Sequence, residues 1–455
     1  MIHKYKNRGL NIVLDVDSGA IVTVDDLTYD ILDFYKEKKS DEIVALLSEK
    51  YAPKDILEAI DEIASLEADK VLFTEYHYDV HMYKNYDLIK AVCLHVAHDC
   101  NLKCNYCFAS QGNFNGDPML MSLEVGKQAI DFIIEQSKDR KNLEVDFFGG
   151  EPLMNMDVVK ALVDYARSKE EKYNKYFNFT ITTNAVLLDE ENRQYINDNM
   201  DNVVLSLDGR KEVHDFMRRT VNDQGSFDII IDNIKKMVEM REASNKEYYV
   251  RGTFTHYNLD FSKDVEFMAQ QGFKSISVEP VVGEEKYDYS FKEEDLEPIL
   301  NEYNKLADDY LTRKERGIDY SFFHYNIDFE GGPCIYKRLS GCGAGRDYVA
   351  VTPEGDVYPC HQFVGDEKFK MGSVFTGINR PDIKEYFGKA NLLEKEKCKT
   401  CWCHYYCGGG CHANAYNFNG TVMEPYEIAC EMEKHRVEDA IAINILETSL
   451  DEQDN

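Results

Sequence analysis

The sequence predicts an α/β fold centred on a parallel sheet, either curved into an incomplete barrel or left open. Three observations carry this expectation. Six strand-like runs, at residues 88–97, 143–148, 177–183, 203–207, 248–255 and 275–282, alternate with amphipathic helical patterns. Short polar and glycine-rich clusters follow several of these runs, where sheets of this kind keep their chemistry. Thirteen cysteines in 455 residues are too many for chance core positions, so the chain has a further task beyond packing.

Composition narrows that task. Apolar residues make up 44% of the chain, enough for a full core, and the length suggests about three domains. Lys and Arg total 52 against 83 Asp and Glu, a net charge of -31, which argues against nucleic acid or an anionic membrane as the partner. No apolar run approaches the roughly 18 residues of a membrane span, and no signal peptide opens the chain. A soluble cytoplasmic protein is expected. In that reducing setting metal clusters explain the cysteines better than disulfides do.

Residues 1–80 read as a small separate domain. Two β-branched runs, 11–16 and 20–24, flank Asp17-Ser18-Gly19 as a hairpin would. Apolar stripes follow at Leu27, Ile31, Leu32 and Tyr35, at Ile43, Leu46 and Leu47, and after Pro53 at Ile56, Ile60, Ile63 and Leu66. A hairpin with three helices is a winged-helix outline. Its acidic helices do not suit DNA, whereas an exposed strand edge captures an extended peptide; the plainer alternative is a packing appendage.

Within the α/β region, the pattern at 226–242 puts Ile229, Ile230, Ile234, Met237 and Val238 on one helical face, and a long charged helix at 293–316 closes the series. The first strand is followed by Cys100, Cys104 and Cys107 in CxxxCxxC spacing, with Tyr106 before the last cysteine. Gly149-Gly150-Glu151-Pro152 follows the second strand, Thr183-Asn184 the third, and Ser206-Leu207-Asp208-Gly209 the fourth; Glu279 ends the sixth. Three thiolates are one short of a closed four-coordinate site and leave a position open for chemistry. The set suits an iron-sulfur cubane with one free iron, or a three-ligand zinc. Alone, the Gly-Gly-Glu-Pro and Ser-Leu-Asp-Gly segments would be turns; together with the cysteines at strand ends they point to a cofactor site.

With these motifs, residues 88–317 resemble a radical S-adenosylmethionine enzyme. The resemblance implies a partial (β/α)6 barrel, assigned to residues 81–320. It also implies a 4Fe-4S cluster on Cys100, Cys104 and Cys107, with its open iron chelated by the amino and carboxylate groups of S-adenosylmethionine. Cleavage of that cofactor would give a 5'-deoxyadenosyl radical that takes hydrogen from substrate. The aromatic Tyr106 belongs to the cluster motif. Gly149 and Gly150 are expected beside the methionyl group, Glu151 on its ammonium, Ser206 and Asp208 near the ribose, and Arg218 near the cofactor carboxylate.

From Cys334 onward the cysteine density rises. Cys342, Gly355 and Cys360 form Cx12Gx4C; Cys398, Cys401, Cys407 and Cys411 form CxxCx5CxxxC; Cys430 follows. This spacing resembles the SPASM extension of peptide-modifying radical enzymes, here residues 321–455, and implies two auxiliary 4Fe-4S clusters, making three in all. By that resemblance auxiliary cluster I takes Cys342, Cys360 and Cys411 with Cys334 as its fourth ligand, and cluster II takes Cys398, Cys401, Cys407 and Cys430. Without Cys334, cluster I would keep an open iron for a substrate thiolate. Cys93 reads as a small core residue and Cys403 as a spare thiol. His361, His404 and His412 either hydrogen-bond cluster sulfur or simply pack. Gly408-Gly409-Gly410 allows tight backbone passage and lacks the partners of a phosphate loop.

The order of peptide clamp, radical barrel and auxiliary-cluster domain resembles maturases of ribosomally made peptides (RiPPs). Gly331-Gly332-Pro333-Cys334, Lys337-Arg338-Leu339, Gly341-Cys342-Gly343-Ala344-Gly345 and Tyr358-Pro359-Cys360-His361-Gln362-Phe363 resemble the enzymes that act on six-cysteine (SCIFF) peptides, within the sactipeptide and ranthipeptide class. That implies thioether formation between a cysteine sulfur and a carbon of an acceptor residue such as threonine. It also implies a Cys-rich precursor whose leader docks on residues 1–80, an external electron donor such as ferredoxin or flavodoxin, and a low-oxygen setting. An auxiliary cluster would accept the electron left after coupling; the sequence names no general base. The competing expectations are another oxidation by the same machinery, such as sulfatase-type maturation, and a non-enzymatic iron-sulfur redox sensor.

Overall fold

The structure, a computed structural model, describes residues 1–75, 88–329 and 339–453. Its N-terminal hairpin belongs to a three-stranded antiparallel sheet, β1 (Ile2–Asn7), β2 (Leu10–Asp15) and β3 (Ile21–Val24), in that order. Strand β1 is an addition to the expected pair. Its signal is the Asn7-Arg8-Gly9 corner, where Arg8 and Gly9 both adopt positive φ, the backbone of a two-residue hairpin turn. Helices α1 (Asp26–Ile31), α2 (Ser40–Leu47) and α3 (Pro53–Ala68) bundle around Ile31, Ile43, Ile56 and Ile63. Asp25 caps α1 by accepting from the Thr28 N–H, and proline opens α3.

The sheet buries a face away from those helices. Tyr5, Ile12, Leu14 and Val16 pack with Leu392, Cys403, Tyr405, Val437 and Ile441. Charge locks the same contact. Arg8 Nη1 donates to the fully buried Asp439 carboxylate at 2.6 Å, and the Tyr5 hydroxyl donates to the Glu438 carbonyl oxygen at 3.1 Å. Both acceptors lie on a long C-terminal helix, Glu427–Gln453. The N-terminal sheet is therefore built into the body of the protein.

Six parallel strands form the centre: β4 (Ala91–His98), β5 (Asn142–Gly149), β6 (Tyr176–Thr183), β7 (Asn202–Ser206), β8 (Glu247–Phe254) and β9 (Ser275–Pro280). Each pairs with the next in chain order. All lie within a few residues of the expected runs. β10 (Ser321–Phe322) adds a short parallel strand beyond β9. At the opposite edge, β11 (Tyr348–Val351) pairs in parallel with β4 and continues into the antiparallel β12 (Asp356–Tyr358). The sheet runs from one end to the other without closing, which makes the barrel incomplete.

Between β7 and β8 the helix Phe227–Ala243 buries Ile230, Ile234, Met237 and Val238. Ile229 departs from the expected face and is 47% exposed, because one residue is a 100° step around a helix. The charged segment after β9 is a 3-10 turn, Glu293–Asp295, followed by the helix Leu296–Leu311. All eight residues of β4 are buried, as expected of a strand covered on both faces, and one apolar cluster runs continuously from Ile89 to Ile443. Among the described residues no helix is long and apolar enough to cross a membrane.

Ile12 has no exposed surface and sits where sheet and C-terminal region meet. Ile12→Ala is expected to destabilise this contact by about 2–5 kcal/mol. Denaturant unfolding checks it, with residues 1–24 losing hydrogen-exchange protection first; an unchanged midpoint would refute the shared core.

Candidate active site

The loop after β4 is held by a side-chain acceptor and by strand pairing. Asp99 accepts from the Cys100 N–H at 2.8 Å. Leu102–Cys104 then pairs antiparallel with Arg218–Thr220, setting Cys104 opposite Arg218. Cys100, Cys104 and Cys107 line one cavity of about 220 Å³ with Tyr106, Gly149, Gly150, Glu151, Ser206 and Arg218. Burial pushes the Cys100 thiol up and the Cys104 thiol up to about 12, so a bound cation is what would ionise them. Donors already face the first sulfur: Leu102 N–H at 3.4 Å and Asn184 Nδ2 at 3.7 Å.

Among the described residues, no three His, Cys, Asp or Glu side chains converge closely enough to share one metal ion. A multi-iron cluster is a larger body held by several thiolates, and the spread set of thiols around one cavity fits it better than it fits zinc.

The glycines have a different immediate reason from the expected approach to a methionyl group. A Cβ on Gly149 would stand 2.1 Å from the Ala97 carbonyl oxygen, and one on Gly150 2.1 Å from that of Asp99. Those same oxygens accept from Gly150 N–H at 2.8 Å and Glu151 N–H at 2.9 Å. Glycine is required because the turn after β5 lies against the backbone that launches the cysteine loop.

Glu151 is 1% exposed. Its carboxylate accepts from Leu153 N–H at 3.0 Å, Thr183 Oγ1 at 2.7 Å and Asn184 N–H at 2.8 Å. Burial outweighs these donors and raises its pKa to about 7. Arg218 lowers it in part, and the ammonium of S-adenosylmethionine would supply a further cation. Thr183-Asn184, noted in the sequence only as a strand-end pair, is what holds the carboxylate.

Asp208 lies behind the cavity wall. It is fully buried, and its carboxylate accepts from the Tyr106 hydroxyl at 2.7 Å and Thr253 N–H at 3.0 Å and pairs with Arg218 Nε at 3.0 Å. Expected near the ribose, Asp208 does not itself line the cavity; its oxygens are taken by Tyr106, Thr253 and Arg218, all of which do. Ser206 and Arg218 do line the cavity, and Arg218 offers a cation for a cofactor carboxylate.

The far wall carries two residues whose roles the sequence did not reveal. On β8, Arg251 and Thr253 alternate with the buried Val250 and Phe254, and both line the cavity with Glu279 from β9. Ser277 Oγ and His324 Nε2 reach the two Glu279 oxygens at 2.7 and 3.1 Å. Burial pushes the Glu279 carboxyl up, but His324, Arg251 and Arg436 outweigh it and hold it well below the usual range. His361 and Gln362, directly after Cys360, complete this wall.

Cys398, Cys401, Cys407 and Cys430 line a second cavity of about 340 Å³, as one ligand set would. Around the buried Cys360, burial and then Cys342 and Cys411 raise the thiol, which groups those three. Cys334 and the 331–338 motifs lie outside the described residues. Cys93 is buried in the barrel core, and Cys403 is buried beneath the N-terminal sheet although it borders the second cavity. His404 and His412 donate to the carbonyl oxygens of Cys398 and Ala390, at 3.0 and 3.2 Å.

Gly150→Ala should displace the cysteine loop. Anaerobically reconstituted protein is expected to hold about one cluster less, roughly four irons per chain. Gly388→Ala, where a Cβ meets nothing within 4 Å, should keep its full complement. Equal iron in the two variants would contradict the backbone argument.

Comparison with known proteins agrees with this geometry. Residues 94–251 match the Radical SAM superfamily, and residues 342–402 match SPASM, an iron-sulfur cluster-binding domain. The cysteine-type anaerobic sulfatase-maturating enzyme of Clostridium novyi (strain NT) is 27% identical over 341 residues, covering 71% of this chain and 88% of that protein. The structure of anSMEcpe with bound AdoMet aligns at TM-score 0.62 with 22% identity, covering 78% of this chain and 98% of the other. Streptococcus suis SuiB bound to precursor peptide SuiA aligns at TM-score 0.51 with 15% identity, over 94% of this chain and 98% of that one. Residues 94–251 thus carry a Radical SAM domain and residues 342–402 a SPASM iron-sulfur cluster-binding domain.

Proposed function

We propose that this protein is a peptide maturase that joins a cysteine sulfur to a carbon of an acceptor residue, such as threonine, in a Cys-rich precursor. One observation carries the reading. A single cavity runs from the CxxxCxxC thiols and Glu151 to His361 and Gln362, beside the auxiliary cysteine Cys360. Hydrogen removal and acceptance of the leftover electron would then face one substrate segment. When bound, the barrel cluster and S-adenosylmethionine supply the radical that takes the hydrogen.

This chain's residues supply position. Glu151 takes the cofactor ammonium and Arg218 its carboxylate, with Asp208 and Tyr106 holding Arg218 in place. Arg251, Thr253 and Glu279 form the polar wall for the peptide. The cysteine sets assign to three 4Fe-4S clusters, and a ferredoxin or flavodoxin supplies the starting electron. The three-part division at residues 80/81 and 320/321 is kept as a functional one, in a soluble cytoplasmic protein.

The leader peptide docks as a fourth strand on β3. β1 lies against the C-terminal helix through Tyr5 and Arg8, and β2 is central, so β3 is the remaining edge. Added leader peptide is expected to slow amide exchange at 21–24. No protection there would overturn the clamp.

A second reading, oxidation of a sulfatase-type peptide, is favoured by the Clostridium novyi relative. Anaerobic turnover of a six-cysteine precursor, followed by fragmentation mass spectrometry, separates the two. A thioether and the loss of two hydrogens per crosslink is the expected product; an aldehyde trapped by hydrazide sinks the first reading. The Cys100→Ala/Cys104→Ala/Cys107→Ala variant should give neither product nor deoxyadenosine while keeping its auxiliary iron.

A further inference from the structure

We propose that Lys395 is a charge-compensating residue shared by the two auxiliary cysteine sets, and that its ammonium raises the reduction potential of the clusters they hold. Lys395 is 1% exposed, in the turn ahead of Cys398. Lysine is almost never buried so completely without a partner, because removing an ammonium from water is costly. Its Nζ donates to the Gly409 carbonyl oxygen at 2.7 Å, a neutral acceptor. Among the described residues it has no carboxylate partner.

The Gly409 carbonyl that holds Nζ lies between Cys407 and Cys411 in the chain, and Cys398 is three residues beyond Lys395; burial lowers the lysine's pKa, while the charge of Cys398, Cys407 and Cys430 of one set and Cys411 of the other favours its ammonium form. His412 is its other titratable neighbour, held neutral by burial. Gly409 presents this carbonyl from a left-handed backbone, φ +91, that favours glycine. Thiolate-ligated iron clusters are the counter-charge that makes a buried ammonium tenable. In return a fixed positive charge favours their reduced state, since net charge is one of the terms that set a cluster's potential.

The consequence rests on the maturation reading above. When a thiol joins a carbon radical, one S–C bond forms, the thiol proton leaves, and one electron passes to an oxidised auxiliary cluster, which is thereby reduced. One ammonium between two acceptors makes that transfer more favourable for both.

The test is a mediated redox titration followed by electron paramagnetic resonance. It uses the anaerobically reconstituted full chain with Cys100, Cys104 and Cys107 replaced by Ala, so that only auxiliary signals remain. Lys395→Met is expected to lower the midpoints by at least a tenfold change in reduced-to-oxidised ratio at fixed poise, about 59 mV for a one-electron couple. Lys395→Arg should stay at the parent value. Unchanged potentials in Lys395→Met overturn the proposal, as does an equal shift in both variants, which would indicate packing. If Lys395→Met loses auxiliary iron while Lys395→Arg keeps it, charge compensation stands; loss in both overturns it. The titration contains no peptide, so absence of a thioether product in wild-type turnover would sink the proposed function without touching this result.

Discussion

Two backbone hydrogen bonds organise the active site: Gly150 N–H to the Ala97 carbonyl oxygen, and Glu151 N–H to that of Asp99. They bind the turn after β5 to the end of β4, where the cysteine loop begins. Gly112 adds a third close approach, since a Cβ there would stand 2.6 Å from Cys100 Cβ. Cysteine loop, glutamate and cavity mouth are thus one rigid unit. Thiol placement and the Glu151 carboxylate are set together.

Around that unit cations stand beside sulfur. The chain carries -31 overall, yet Arg218 stands opposite Cys104 and Lys395 among the auxiliary thiols. Surface carboxylates face water and cost little; cations are spent where sulfur gathers. Arg218 is steered by a fully buried aspartate and Lys395 by a glycine carbonyl. That pattern is what a protein holding several anionic clusters requires, because each buried cation offsets charge that water cannot reach.

The sequence reveals what is local and periodic. All six central strands are readable, because apolar runs alternating with 3.6-period helices leave few other arrangements, whereas the grouping of the auxiliary cysteines rests on the family resemblance and not on spacing. What it conceals is tertiary. The resemblance puts Asp208 near the ribose; that Tyr106, Arg218 and Thr253 occupy its oxygens depends on three segments distant in sequence. Arg251 and Glu279 became a wall only once the register set β8 beside β9. Tyr348–Val351 is too short a run to announce that it joins β4 and extends the central sheet. Lys395 looks like one more charge in an acidic and basic stretch, and its burial has no local signature.

The same long-range packing changes what the N-terminal segment is. A leader-binding domain on a tether would be expected to share little core with the catalytic body, but Tyr5, Ile12 and Leu14 share theirs with Cys403 and Tyr405. His3 stacks on Trp402 at 3.8 Å between ring centroids and 4° between planes, and Trp402 lies between Cys401 and Cys403. His3 Nε2 also meets Glu438 Oε1 at 2.9 Å, two residues beyond the Arg436 that contacts His324, the partner of Glu279 in the cavity wall. One face of the sheet is therefore fixed on the second cysteine set, and β3 stands at its edge beside β2. A leader docked there would lie at a constant offset from the cavity, and the core peptide's reach would be set by the length of peptide between them rather than by domain motion.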